Sequence, residues 1–302
     1  MVSVPRFLQT RSKGELARPP LQRPQLELSG PILKHAFETL VSGAESQGGV
    51  EYWIDALKLK QQMFQQALGQ GHPADLPLDT FKSLCAFMVS VRRRVGLYLE
   101  KPAYGDMVEA IGELLSGYQD TSATDERIAA FCARFPADKK HRWVRDLAAE
   151  ILHGVDPERY PLMGRWIWDR AANTGVIREI WFDDDIDNIT LYVPDGFGTH
   201  IMLREELSQF LTSNGVFRDV IWYVDLLCAK IYADYIGAQG GVYLRADFSA
   251  PNDPMEHSRR LLGLDGVKVG SRRTRLKSIN GEAFMIDETN LLETETNKEA
   301  DN

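Results

Sequence analysis

Apolar residues recur at intervals of three and four along most of the chain, and clusters of Gly, Pro, Asp and Ser divide the pattern into segments. From residue 31 to about 135 this predicts a succession of helices, broken at Ser46-Gln47-Gly48-Gly49, at 69–73, at Lys101-Pro102 and at Asp120-Thr121-Ser122. The segment 78–99 reads as one core helix, with Phe81, Leu84, Cys85, Met88, Val91 and Val95 on one side and Arg92, Arg93 and Arg94 emerging near its end. The best-punctuated stretch is 139–182. Val144, Leu147, Ala148, Ile151 and Leu152 form one stripe of an amphipathic helix, which Gly154 is expected to stop. Asp156-Pro157-Glu158 has the N-cap, Pro and acid of a new helical turn, and Pro161 resets it. Leu162, Met163, Trp166, Ile167 and Ala171 then continue at helical spacing to a stop at Asn173-Thr174-Gly175.

Beyond that stop, 176–182 and 189–193 read as strands, with the acidic DDDIDN between them as a hairpin turn, and 242–248 as a third strand. Leu203, Leu207, Phe210 and Leu211 mark a helix ended by Asn214-Gly215, and 217–236 is the most apolar helix, expected at the centre and capped by Gly237. The expected fold is mainly α: a multi-helix globular domain with a small antiparallel β-hairpin or three-stranded sheet. Three regions follow: a Pro-rich basic arm over 1–30, a helical domain over 31–250, and an appendage over 251–302 with a basic run and an acidic, disordered tail.

Composition adds little to this picture. A chain of 302 residues, 44% hydrophobic and 26% charged, has enough material for a substantial core. The charge on Asp225 and its neighbours makes a bilayer span of 217–236 too costly, and no secretory signal pattern opens the chain, so the expected address is cytoplasmic. Three cysteines, an odd number at wide spacing, point to free thiols rather than a disulfide framework. The net charge of −8 disfavours a general nucleic-acid binder, although basic clusters stand at 92–94, at 139–142, and at Arg272, Arg273, Arg275 and Lys277.

Candidate chemistry falls in four places. Asp146, Glu150 and His153, at i, i+4 and i+7, put two carboxylates and an imidazole on one helix face. Glu-x-x-His is the spacing of di-metal helical bundles, but the chain has no second copy. The expectation is therefore a solvated face with Arg142 and Arg145 as ion-pair partners, and weak metal candidates only. Leu152, Gly154, Val155 and Pro157, in the segment 152–163, resemble the helix-hairpin-helix element of DNA-binding proteins and DNA glycosylases. That resemblance implies a nucleic-acid contact, with Asp169 as the glycosylase-type aspartate, but Asp156 replaces the second hairpin glycine and Pro161 interrupts the following helix. Asp225, on the most apolar helix, is expected to be buried and paired with an arginine. The loop 194–198 ahead of His200 lacks the residues of a P-loop or dinucleotide fingerprint and reads as a turn beside a surface histidine.

Trp168 is turned away from Leu162 and Trp166, so Trp168 and Trp181, with Arg272, Arg273 and Arg275, are the candidate partner-binding residues. The function expected first is a cytosolic accessory or adaptor protein that binds another protein without a cofactor. Nucleic-acid binding through 152–163 and a metal-dependent enzyme using Glu150 and His153 are the alternatives.

Overall fold

The computed structural model describes residues 26–69, 76–183, 185–243 and 254–264, and the backbone of 273–276 and 284–287. The arm therefore falls outside the described residues for positions 1–25, as do Arg272 and the side chains of Arg273 and Arg275.

The molecule is mainly helical. Helices α1 (Gly30–Glu45) and α2 (Val50–Leu68) are separated where Gly48 and Gly49 turn the chain with positive φ. The single helix expected over 78–99 is instead three pieces, α3 (Leu78–Ala86), α4 (Val89–Arg92) and a 3-10 turn (Val95–Tyr98). Its break lets Arg92 turn inward, where it is buried and donates to the Ala86 carbonyl at 3.3 Å. Helix α5 (Ala103–Leu115) starts after Pro102, and α6 (Thr124–Ala133) follows a turn capped by Asp120.

Helix α7 (Trp143–Val155) is the inner member of the first half: it packs on α2, α4, α5 and α6 and is buried on nearly every side. Gly154 does not stop it. That residue lies within α7, and a Cβ there would come within 2.4 Å of the Phe64 ring, so its role is to let α7 approach α2. The helix expected after Asp156 is absent, and residues 156–175 form turns. Tertiary bonds to this backbone take the place of helical ones. Asp146 accepts from the Arg165 N–H at 3.1 Å, and Asp169 and Thr174 pair their backbones at 2.9 and 3.3 Å.

The strands expected at 176–182 and 189–193 are absent. Gly175, at φ +127°, opens the one-turn helix α8 (Val176–Glu179), whose first two amides bond to the Trp166 and Ile167 carbonyls. A short β-branched run fits a buried helical turn as well as a strand, and here the glycine decides. Residues 189–193 form no strand, and side chains rather than a partner strand bond to the Ile189 and Val193 carbonyls and the Leu191 N–H.

Helices α9 (Phe197–Ser213) and α10 (Val220–Tyr243) complete the core, with Gly215 between them at φ +93°. Helix α10 is the second inner helix, touching α1, α2, α8 and α9. It runs through Gly237 and takes in Val242 and Tyr243, where a third strand was expected; 244–248 lie outside the described residues. Helix α11 (Glu256–Leu261) lies against α10, and Met255, Leu262 and Leu264 around it are buried, so 254–264 belong to the core rather than to an appendage. Among the described residues strand pairing is confined to β1 (Arg273–Leu276) and β2 (Phe284–Asp287), antiparallel with Arg273 opposite Asp287. This is not the expected hairpin. None of the described helices is long and apolar enough to cross a membrane.

Candidate functional site

Two features concentrate polar chemistry: an ion cluster buried between α2, α7 and α10, and a pinned loop over 182–195.

In the cluster, Lys60 Nζ lies 3.1 Å from Glu150 Oε2 and donates to the Leu262 carbonyl at 3.1 Å. Three residues along α7, the His153 Nδ1 faces the Tyr160 carbonyl at 2.8 Å and Nε2 faces Asp225 Oδ2 at 3.2 Å. Both ring nitrogens thus face oxygen atoms. Burial works to lower the His153 pKa, but Asp225, the Tyr160 carbonyl and Glu150 more than offset it, so the pKa is raised. The Asp225 oxygen sits at ion-pair distance but outside hydrogen-bond geometry, which makes the contact chiefly electrostatic. All four side chains are buried, the lysine against Glu150 and the histidine against Asp225. A narrow cleft with room for about one water reaches the cluster past Leu162, Trp166, Trp222 and Leu261.

The solvated face expected for Asp146, Glu150 and His153 is thus a buried face. Asp146 is held by Arg165 at 2.7 Å, whereas Arg142 pairs with Asp169 at 2.6 Å, and Arg145 donates to the Met163 and Asp195 carbonyls. Asp225 is buried as expected, with a histidine in place of the arginine. Glu150 and His153 are poorly placed as metal ligands in this arrangement, because an ammonium occupies the carboxylate and the two imidazole nitrogens already face the Tyr160 carbonyl and Asp225. No group of three or more His, Cys, Asp or Glu suited to a metal occurs among the described residues. Cys85 and Cys228 are buried free thiols, and burial pushes the pKa of both up. His200 is buried rather than on the surface; burial lowers its pKa to about 4, and its Nδ1 meets the Gly196 carbonyl at 2.9 Å.

The loop begins where residues 26–29 meet 180–182. Leu28 bridges Trp181, Ser29 N–H donates to the Ile180 carbonyl, and Phe182 N–H donates to the Glu27 carbonyl, both at 2.8 Å. Arg178 spans its interior, donating to the Ile186 and Ile189 carbonyls at 2.5 and 3.0 Å. Asn173, held at φ +52°, bonds to both the Ile189 carbonyl and the Leu191 N–H. Trp168 is wholly buried, so it is not a partner surface; its indole N–H donates to the Val193 carbonyl at 3.0 Å and fixes the far end of the loop. Trp181 is half-buried against the core. The exposed aromatics of this loop are instead Phe182 and Tyr192, at 64% and 82% exposure, on either side of Asp183 and Asp185 in sequence; Phe217, between α9 and α10, is exposed as well.

Sequence reasoning missed Lys60, Arg165, Phe182 and Tyr192. Lys60 had a signal: it stands with Trp53, Leu57 and Phe64 at i+7 of an apolar stripe, where a lysine needs a buried partner. The exposed pair had none, since exposure of Phe182 follows from the loss of the strand expected at 176–182. Comparison with known proteins finds no matching family, no curated relative and no similar solved structure.

Proposed function

We propose that the chain is a cytosolic accessory protein that acts by binding another protein, and that the loop 182–195 is the binding surface. The observation that carries this is that Phe182 and Tyr192 are each highly exposed on a loop whose backbone is held by Arg178, Asn173 and Trp168. Aromatic side chains on a fixed backbone bury large area at small ordering cost, which is why such residues serve as anchors in interfaces. The carboxylates of Asp183 and Asp185 between them favour a partner with a basic surface. Free thiols in place of disulfides suit a reducing compartment.

The internal balance of the Lys60–Glu150 and His153–Asp225 pairs supports a structural role for them rather than a catalytic one. The nucleic-acid alternative loses its support with the second helix of the 152–163 element, which is replaced by turns.

The test is affinity capture with the full chain and with Phe182→Ser/Tyr192→Ser, followed by binding of each purified candidate partner to both. A partner that binds the parent and loses at least tenfold in affinity to a double variant of unchanged melting temperature supports the proposal. Equal binding by both proteins would reject the loop as the surface.

A further inference from the structure

We infer that the loop 182–195 is also a docking surface for the chain's own residues 1–25, which occupy in cis the face that a partner would use. The inference rests on the reading of this loop as a binding surface and adds its regulation. Three observations meet at one place. The chain enters the described structure at Leu26, a buried residue, and the next two residues pair with 181–182, so Leu26 itself adjoins the base of the loop. The loop carries Asp183 and Asp185 exposed, in a sequence that also holds Asp184 and Asp187, and is flanked by the exposed Phe182 and Tyr192. Residues 1–25 carry Arg6, Arg11, Lys13, Arg18 and Arg23 against the single acid Glu15, with Phe7, Leu8, Leu16 and Leu21 as apolar residues able to cover exposed rings.

Reach is not limiting, since a chain spans up to roughly 3.3–3.6 Å per residue. Covalent attachment at Leu26 gives the basic segment an effective concentration on the order of millimolar at the loop, so a weak affinity is enough for occupancy. The attraction between exposed charges is screened over about 8 Å at physiological ionic strength, so occupancy should fall as salt is added. Any basic partner then competes with the chain's own basic segment, which sets a threshold for binding.

The experiment uses the full chain alone. A water-soluble carbodiimide couples the Lys13 amine to a nearby carboxylate with loss of water, on an equal mixture of 14N- and 15N-labelled protein. The expected result is cross-links from Lys13 to the 183–187 peptide within chains of one isotope, lost at high salt and in Asp183→Asn/Asp185→Asn. Hydrogen exchange of the 183–193 amides should also speed up several-fold when Arg6, Arg11, Lys13, Arg18 and Arg23 are all changed to Ser. Cross-links joining light to heavy chains would assign the face to a second copy and overturn docking in cis. Absent cross-links with unchanged exchange would show that the segment does not dock. Because no partner is present, either failure leaves the Phe182/Tyr192 test of partner binding standing by itself.

Discussion

His153 and Asp225 form a buried pair in which each charge is tolerated only because of the other. Asp225→Leu should cost about 3–5 kcal/mol, the usual penalty for stranding one member of such a pair, seen as a large fall in melting temperature. The histidine also fixes a pH dependence. Its folded pKa is raised above the unfolded value, so the pair's contribution is fully present below about pH 6.5 and is lost as pH rises through the folded pKa. Denaturant titrations of parent and His153→Gln from pH 5 to 9 should therefore converge toward alkaline pH. A constant difference would show that the imidazole is not charged. Gly154→Ala is the second test at this scale: with a Cβ forced to within 2.4 Å of Phe64, the strain should be about 1–3 kcal/mol, and Phe64→Leu in the same chain should relieve part of it. Individual residues were legible where the demand was local. A carboxylate on the most apolar helix had to be buried, but that its partner is a histidine on α7 depends on how α7 and α10 pack, which no local pattern states.

Among the elements, α9, the body of α10 though not its end past Gly237, and the breaks at 48–49, 102 and 215 follow directly from periodicity and from glycine and proline. The stretch 156–193 does not, for a physical reason: side chains from elsewhere satisfy its backbone. Asp146 takes the Arg165 amide, Asn173 and Arg178 take the Ile189 carbonyl, and Trp168 takes the Val193 carbonyl. Once those bonds are made, neither a helix nor a hairpin is needed to pair the groups. The polar face of α7 was misjudged by the same kind of omission, because Lys60 lies 90 positions from its partner Glu150. If the loop is pinned as described, Asn173→Ala should remove both loop bonds, costing about 1 kcal/mol for each. Hydrogen exchange at Leu191 should accelerate while amides of α10 keep their protection. Unchanged exchange at Leu191 would mean that other groups hold the loop.

For the whole molecule, Lys60 ties three parts of the chain together: α2 that carries it, α7 through Glu150, and the segment after α11 through the Leu262 carbonyl. Apolar burial of Met255, Leu262 and Leu264 fixes the same segment, and Gly263 comes so close to Phe87 that no side chain fits there. The ion cluster and the closing segment are therefore one cooperative unit. Lys60→Met should leave Glu150 buried without its cation and Leu262 without its donor, costing about 3–5 kcal/mol. Exchange at the Leu262 and Leu264 amides should rise with it. Adding Glu150→Met removes the stranded charge and should restore most of the stability, since a buried pair can often be exchanged for packed apolar groups at little cost. The two changes together separate electrostatics from packing. If the double variant is as unstable as Lys60→Met, the lost stability lies in the bond to Leu262 and in the docking of 255–264. If it recovers while exchange at Leu264 stays fast, the pair stabilises the core and the lysine's second bond is what closes the chain onto it.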